Sequence, residues 1–263
     1  MIDDIKGANL LLEYFNIKSE KADLFLLKKL LDKFSLIPYE NATKIIKSDG
    51  TANFYNSFRF PFEVVTDHIQ SGSGGTCFSL VHLFKTLLDQ CGFNSKLILA
   101  DRTYGDNTHT AIIVKFKDTL YLADPGYMVF KPLKLSKEKP VLHNTGIANL
   151  LIEPLEGGKF FNVYTLNNNK KFRYRLKNEK VKRDIFFEAW KRSFEFEMMN
   201  YLIITRVSQG EHIYMRNNYL QYKTETGITK KKINTQKILE ITSQIGISKE
   251  IISKALKVLG KNV

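Results

Sequence analysis

The spacing of apolar residues changes twice along this 263-residue chain, and that order limits the folds it can adopt. Residues 20–34 and 77–90 repeat apolar side chains at helical spacing, whereas the stretches after residue 95 are strand-like. Helical spacing returns over residues 235–259, where Ser248 is a good N-cap for the last helix. Helices, then strands, then helices predict an α+β fold rather than alternating β–α–β units.

The strand candidates are short stretches rich in Ile, Val, Leu and Tyr, separated by polar residues. They cover residues 96–100, 109–116, 119–123, 149–153, 160–166, 171–176, 201–207, 212–216 and 218–223. Residues 185–197 fit a helix or a strand equally well. The C-terminal helical pattern divides into residues 235–245 and 248–259.

Composition indicates a globular protein, because 43% of the residues are hydrophobic and 19 Phe and 12 Tyr can fill a sizeable core. No run of about 18 apolar residues and no signal-peptide pattern occurs, so we expect a cytoplasmic protein with no membrane partner. In that reducing compartment Cys77 and Cys91 are expected to be free thiols. No Cys/His set has zinc-ligand spacing, so no metal site is predicted.

The formal net charge of +13 can indicate nucleic acid, an anionic membrane or a phosphate-bearing ligand as a partner. No nucleic-acid-binding motif occurs, so no nucleic-acid partner is predicted, and a basic surface without a specific partner is the simpler interpretation. The longest basic cluster, residues 230–232, is predicted to be a solvated linker.

Cys77 is the strongest candidate for chemistry. A loop of small residues, Ser-Gly-Ser-Gly-Gly-Thr at 71–76, delivers it to the first turn of the second helix. The helix dipole and the free N–H groups there lower the pKa of a thiol and make it a better nucleophile at neutral pH. A buried structural cysteine is the alternative, and it suits Cys91 at the other end of the helix.

Two further residues can activate that thiol. His109 opens one apolar strand and Asp124 follows the next. If the two strands form a hairpin, both side chains lie near its open end. The imidazole can then take the thiol proton, and the carboxylate can hold the imidazole in the right tautomer. A histidine at a strand edge and an aspartate in a turn are each common, but the order Cys77, His109, Asp124 at three element ends predicts a catalytic triad.

Four motifs in this order resemble those of the arylamine N-acetyltransferases, within the papain- and transglutaminase-like superfamily. Ile-Pro-Tyr-Glu-Asn at 37–41 resembles their Pro-Phe-Glu-Asn, and Gly-Gly-Thr-Cys-Phe at 74–78 resembles their Arg-Gly-Gly-X-Cys. Thr-His-Thr at 108–110 resembles their histidine strand, and Asp-Pro-Gly-Tyr at 124–127 resembles their Asp-Val-Gly-Phe turn. The resemblance spans roughly residues 10–255.

The resemblance implies an architecture: an N-terminal helical bundle over residues 1–95, a central antiparallel β-barrel over 96–195, and a C-terminal α/β lid over 196–263. It also implies ping-pong transfer of an acetyl group from acetyl-coenzyme A, through acetyl-Cys77, to an arylamine, hydrazine or related amine, with no tightly bound cofactor. Tyr39 and Tyr127 match aromatic pocket positions of the family, where they would bind the acceptor or simply pack in the core.

Two positions depart from the family pattern. The arginine that precedes the family's glycine pair, and that pairs with the motif glutamate, is Ser73 here. Because a buried Glu40 without a cation would be costly, we expect Arg59 or Arg102 to replace that arginine, or Glu40 to be exposed or protonated. The family's glutamate two residues after the cysteine is Ser79.

Three activities remain open at this point. The first is N-acyl transfer from acetyl-coenzyme A. The second is another acyl reaction of the same triad, such as that of an amide synthase, amidase, peptidase or transglutaminase, since an acyl-enzyme can react with water or with different amines. The third is a scaffold that has lost activity, against which the intact triad argues.

Overall fold

The structure is a computed structural model, and it describes residues 2–18, 21–166, 169–208, 210–224 and 226–260. The N-terminal part contains five helices. These are α1 (Ile2–Tyr14), α2 (Leu24–Phe34), α3 (Ala42–Ser48), α4 (Pro61–Ser71) and α5 (Cys77–Gln90). The predicted helix that ends at residue 34 is confirmed as α2, although residue 20, where the prediction began, lies outside the described ranges.

Helix α5 has the bounds that the sequence predicts, whereas α1, α3 and α4 were not predicted. Helix α4 carries two standard end signals, because Pro61 is its first residue and Gly72 follows it in the left-handed conformation. The bundle core includes an edge-to-face contact between Phe34 of α2 and Phe84 of α5, with ring centroids 4.9 Å apart. Helix α5 is therefore fixed in the bundle along its buried face.

The central sheet contains eight antiparallel strands in the spatial order β5-β4-β3-β2-β9-β8-β7-β6. They are β2 (Ser95–Arg102), β3 (Gly105–Phe116), β4 (Thr119–Asp124), β5 (Val129–Leu135), β6 (Val141–Asn144), β7 (Asn149–Leu155), β8 (Phe160–Leu166) and β9 (Lys170–Lys177). His143 Nε2 of β6 donates to Lys134 O of β5 at 2.9 Å, so the two edge strands approach each other and the sheet nearly closes into a barrel.

The second sheet has five antiparallel strands in the order β1-β10-β11-β12-β13. They are β1 (Tyr39–Glu40), β10 (Ile203–Ser208), β11 (Glu211–Arg216), β12 (Tyr219–Thr224) and β13 (Gly227–Lys232). Helices α7 (Thr235–Gln244) and α8 (Lys249–Val258) pack on this sheet through an aliphatic core, and Ser248 caps α8 as predicted. Strand β1, which carries the Tyr-Glu of the first motif, pairs with β10.

Two predictions about these segments change. Residues 230–232, predicted as a linker, belong to the edge strand β13, whose residues are all exposed. Their charged side chains discourage pairing of that edge with another sheet. The ambiguous stretch 185–197 is mainly helical, because α6 (Arg183–Arg192) buries Phe186, Ala189 and Trp190 on one face. Strands β1, β5, β6 and β13 were not predicted.

The α+β fold class is confirmed: a helical bundle, a nearly closed antiparallel barrel and an α/β lid. The division into domains 1–95, 96–195 and 196–263 stays a prediction. None of the helices in the described ranges combines the length and the apolar character needed to cross a membrane.

Candidate active site

Cys77 is the first residue of α5 and is mostly buried, with 9% of its surface exposed. The preceding N-cap residue, Thr76, makes no side-chain hydrogen bond to the first turn of the helix. The partial positive charge of the free N–H groups therefore remains at the end of the helix that carries the thiol.

Two glycines let other segments of backbone approach this region closely. A Cβ atom at Gly74 would lie 1.8 Å from the Pro38 carbonyl oxygen, so only glycine allows β1 to run beside the loop. A Cβ atom at Gly126 would lie 2.8 Å from the Cβ atom of Cys77. The turn that follows Asp124 is thus packed directly against the cysteine.

His109 and Asp124 form a fully buried hydrogen-bonded pair. His109 Nε2 lies 2.9 Å from Asp124 Oδ2 and 3.1 Å from Asp124 Oδ1, and neither residue is exposed. Strands β3 and β4 form the predicted hairpin, in which Ile112 faces Ala123, so both side chains lie toward its open end. The prediction that His109 begins its strand is wrong, because β3 begins at Gly105 and continues its pairing with β2 past the histidine.

Asp124 is held by two donors besides His109. The Tyr174 hydroxyl donates to Asp124 Oδ2 at 2.7 Å, and the Tyr127 backbone N–H donates to Asp124 Oδ1 at 3.0 Å. Tyr174 was not among the predicted site residues. It lies in a strand that was predicted, but no local signal links it to a partner 50 positions away.

The thiol and the imidazole interact, and each alters the other's proton affinity. Burial raises the pKa of Cys77, but the hydrogen bond and charge of His109, together with the charges of Arg102 and Lys44, outweigh burial and hold the pKa below its ordinary value. Burial lowers the pKa of His109, but the charge and hydrogen bond of Asp124 raise it above its ordinary value. These opposite shifts favour a thiolate–imidazolium pair.

Two cations lie near this pair, the half-buried Arg102 and the buried Lys44. Arg102 Nη2 lies 3.4 Å from His109 Nδ1, and its guanidinium lies 5.4 Å from the centroid of the Tyr127 ring. Lys44 Nζ donates to Ser193 O and Oγ at 2.8 and 2.6 Å, and burial lowers the pKa of Lys44 to about 7. Neither cation was assigned a role at the thiol from the sequence.

Tyr39 and Tyr127, the predicted pocket residues, both border the site. Burial and the neighbouring Cys77 raise the pKa of Tyr39 well above its ordinary value, and its hydroxyl lies 3.8 Å from Met198 Sδ. The Tyr127 ring meets the His109 ring edge-to-face, with centroids 6.0 Å apart. Among the described residues, no three His, Cys, Asp or Glu side chains gather into a group that could hold a metal ion.

The family model described as N-acetyltransferase matches residues 23–248, which is most of the chain. The chain belongs to the N-acetyltransferase family. The predicted resemblance is confirmed by this match and by a series of solved arylamine N-acetyltransferase structures with the same fold. No curated protein is similar enough to match this chain.

Solved structures of arylamine N-acetyltransferases superpose on nearly the whole of this chain. The protein from Mycobacterium abscessus has a TM-score of 0.80 at 15% identity and covers 98% of both chains. The protein from Salmonella typhimurium has a TM-score of 0.77 at 14% identity, over 97% of this chain and 98% of its own. The protein from Bacillus cereus, described as having a unique Cys-His-Glu triad, has a TM-score of 0.72 at 16% identity, over 92% of this chain and 98% of its own.

In this chain Arg59, one of the two predicted replacements for the arginine absent at Ser73, is the cation that lies beside Glu40. Glu40 is fully buried, and its Oε1 lies 3.6 Å from Arg59 Nη1. The same nitrogen donates to Thr43 Oγ1 and Gly74 O at 2.5 Å each, which ties Glu40 to the loop before Cys77. Arg102, the other predicted replacement, lies beside His109 instead, and the alternative of an exposed Glu40 is wrong.

We expect Arg59→Ala to lower the free energy of unfolding by about 3–5 kcal/mol, because it leaves the buried Glu40 carboxylate without its cation. The thermal midpoint, measured by circular dichroism, should fall by about 10 °C. Arg216→Ala is the matched control, since Arg216 forms a solvent-exposed pair with Glu197 and its loss should cost about 0–1 kcal/mol.

The same pairing predicts that Ser73→Arg is neutral or destabilising, since Ser73 is fully buried and the cation is already supplied by Arg59. In a Glu40→Gln background, Arg59→Ala should cost less than it does in the wild type. A stabilising Ser73→Arg, with no cost from Arg59→Ala, would contradict the assignment.

Iodoacetamide labelling should separate the two cysteines by pH. Cys77 should react well below pH 8.5, about the ordinary thiol pKa, because His109 favours its thiolate. Cys91 should react only at higher pH, because burial raises its pKa. His109→Ala should shift the Cys77 profile upward, as read by peptide mass, whereas equal profiles for both cysteines would rule out activation.

Proposed function

We propose that this family member is an arylamine N-acetyltransferase-like enzyme with Cys77 as nucleophile, His109 as general base and acid, and Asp124 as the residue that orients the imidazole. The observation that carries the proposal is the buried His109–Asp124 hydrogen bond of 2.9 Å. Because Nε2 is bonded to Asp124, Nδ1 is the ring nitrogen available to the thiol, and a neutral imidazole in this tautomer can accept a proton there.

In the first half of the proposed reaction, the Cys77 thiol gives its proton to His109 and the thiolate attacks the carbonyl carbon of acetyl-coenzyme A. A new C–S bond forms to Cys77 and the C–S bond to coenzyme A breaks. The leaving thiolate takes the proton from His109. Arg102 and Lys44 lower the pKa of the Cys77 thiol through their positive charge, which increases the thiolate fraction at neutral pH.

In the second half, the amine attacks the acetyl carbon of acetyl-Cys77 and gives a proton to His109. The C–S bond to Cys77 breaks, the amide leaves, and the thiolate–imidazolium pair is restored. Coenzyme A is thus a substrate that carries the acyl group, and the chemistry needs no tightly bound cofactor.

The acceptor would be a flat amine that enters through an aromatic cleft of about 470 Å³. The cleft is lined by Tyr104, Tyr201 and Tyr214, and by Met198, which contacts the Tyr39 hydroxyl. Burial raises the pKa of the Tyr104 hydroxyl, and the charges of Arg102 and Cys77 both act on it as well, which supports a route from the cleft toward the thiol. Aromatic faces suit an arylamine or hydrazine, and Tyr39, whose hydroxyl contacts Met198 of the cleft, would bind the acceptor together with Tyr127.

A thiol nucleophile must stay reduced to work, so we propose the cytoplasm as the compartment in which the enzyme acts. Transfer to water is the competing reaction of the same acyl-enzyme, and a test must therefore separate it from transfer to an amine.

Intact mass after mixing with acetyl-coenzyme A, without an acceptor, tests the proposal. One retained acetyl group, located on Cys77 by peptide mass, is expected, and it should be released when an arylamine is added. Continuous release of coenzyme A with no retained acetyl group and no acetylated amine would show a hydrolase instead. No acetylation and no coenzyme A release would contradict both activities.

A further inference from the structure

A second cavity lies between the start of α1, the middle of α5 and the start of α6. Its volume is about 650 Å³, within the range of about 300–1,000 Å³ that is typical of small-molecule sites. The residues that line it do not include Cys77, His109 or Asp124, so it is distinct from the proposed catalytic site.

Aromatic and aliphatic side chains form much of the wall of this cavity, which we call the α5–α6 cavity. Leu97, Phe186 and Phe187 line it, and the two phenylalanine rings lie edge-to-face with centroids 5.6 Å apart. The His82 ring lies 5.8 Å from Phe186 and 6.1 Å from Phe187. Such a wall suits a planar apolar group, which gains contact area and edge-to-face geometry there.

The His82 ring completes this wall. Its Nε2 lies 3.5 Å from Asp4 Oδ2. Both ring nitrogens are buried and neither makes a hydrogen bond in the described part of the chain, so the ring offers the cavity its face rather than a hydrogen-bonding group.

The charges around the α5–α6 cavity favour an anion. Its two lining carboxylates are already engaged, since Asp89 is bonded to Lys85 and Asp4 interacts with His82. Three lining cations, Lys180, Lys182 and Arg183, form no salt bridge within the described part of the chain. Arg183 lies over the Phe187 ring, 5.4 Å from its centroid, and its charge acts on Asp4 from a distance. The excess positive charge is therefore available to a ligand.

The start of α6 adds to this preference. Its N-cap residue, Lys182, makes no side-chain hydrogen bond to the first turn of the ten-residue helix. The free N–H groups and the positive end of the helix dipole therefore lie at the cavity, beside Arg183. The acid of that first turn, Asp184, is not among the lining residues.

We propose that the α5–α6 cavity binds a small planar aromatic molecule that carries one anionic group. The ring lies against Phe186 and Phe187, and the anion lies toward Lys182, Arg183 and the start of α6. This site is separate from the acetyl-transfer chemistry and does not depend on it.

Two fluorescent probes with the same aromatic skeleton test the proposal: 1-anilinonaphthalene-8-sulfonate, which is anionic, and N-phenyl-1-naphthylamine, which is neutral. We expect the wild-type chain to bind the sulfonate about tenfold more tightly, a difference of about 1.4 kcal/mol. Trp190, the only tryptophan in the sequence, lies 6.0 Å from the Phe187 ring, so quenching of its emission gives a second readout.

Lys182→Glu and Arg183→Glu should remove the preference for the anion while leaving binding of the neutral probe nearly unchanged. Both residues are exposed, so the substitutions should not disturb the core. Thr86→Phe, which places a ring inside the cavity, should lower the affinity for both probes about tenfold. The thermal midpoint of this variant checks that it still folds.

Two charge reversals away from the α5–α6 cavity serve as matched controls for Lys182→Glu and Arg183→Glu. They are Arg216→Glu in the aromatic cleft and Lys254→Glu on the exposed face of α8, and neither should change the ratio of the affinities for the two probes. Equal affinity of the wild type for the two probes would overturn the proposal. A preference for the anionic probe that survives Lys182→Glu and Arg183→Glu would also overturn it. A preference that is lost in Arg216→Glu would do the same, since the probe would then bind elsewhere.

Discussion

Replacing Cys77 with alanine should abolish acetyl transfer, with kcat lower by about 10⁶-fold, while the fold persists. The proposed mechanism carries the acetyl group on the Cys77 sulfur, so without it only the residual effect of binding both substrates in one site remains. Alanine keeps the Cβ atom against which Gly126 packs, so the turn after Asp124 should stay in place.

Cys91→Ala is the matched control, because it makes the same substitution at the other end of the same helix. It should keep nearly the wild-type rate, measured as the release of coenzyme A in the presence of an arylamine. Both variants should keep the far-UV circular dichroism of the wild type. Wild-type turnover by Cys77→Ala, or an equal loss in Cys91→Ala, would refute the assignment of the nucleophile.

Asp124→Asn should lower kcat by about 10⁴-fold, the loss that the same change causes in serine triads, with the fold retained. The Tyr127 N–H donates to Oδ1, so the asparagine must place its oxygen there and its NH₂ group at the Oδ2 position. That NH₂ group then donates to His109 Nε2, which moves the ring proton to Nδ1. A protonated Nδ1 cannot accept the proton of the Cys77 thiol.

Tyr174→Phe separates this tautomer effect from a simple loss of hydrogen bonding. It removes the 2.7 Å hydrogen bond to Asp124 Oδ2 but leaves the carboxylate and the tautomer of His109 unchanged. We expect a loss of about tenfold or less, equivalent to about 1.4 kcal/mol. The labelling profile of Cys77 should shift upward in Asp124→Asn far more than in Tyr174→Phe. A loss in Asp124→Asn below about tenfold would mean that Asp124 serves only the turn.

Local patterns predicted the elements that carry the proposed chemistry. Helix α5 begins at Cys77 as expected, because its apolar spacing and its glycine-rich approach are both encoded within a few residues. Strand β4 and the hairpin with β3 were predicted for the same reason. Helix α4 was not predicted, although Pro61 and Gly72 mark its two ends in the sequence.

Other features depended on contacts between distant segments. Strand β13 is exposed on every residue and has no apolar alternation, so only its pairing with β12 makes it a strand. The approach of β5 to β6, which nearly closes the barrel, joins strands whose positions depend on the whole sheet. No short stretch of the sequence therefore predicts how closely β5 and β6 approach each other.

The sequence by itself predicted the triad of Cys77, His109 and Asp124, and it determined the helix start and the hairpin that carry these residues, because helical and strand periodicity act over short range. Only the tertiary structure decided which cation pairs with Glu40 and which hydroxyl holds Asp124. Nothing in the sequence distinguishes Arg59 from Arg102 as the partner of Glu40. Packing of the folded chain places Arg59 beside Glu40 and Arg102 beside His109. Side-chain partners of buried charges are selected by three-dimensional proximity in a medium of low dielectric constant, and no local pattern encodes that proximity.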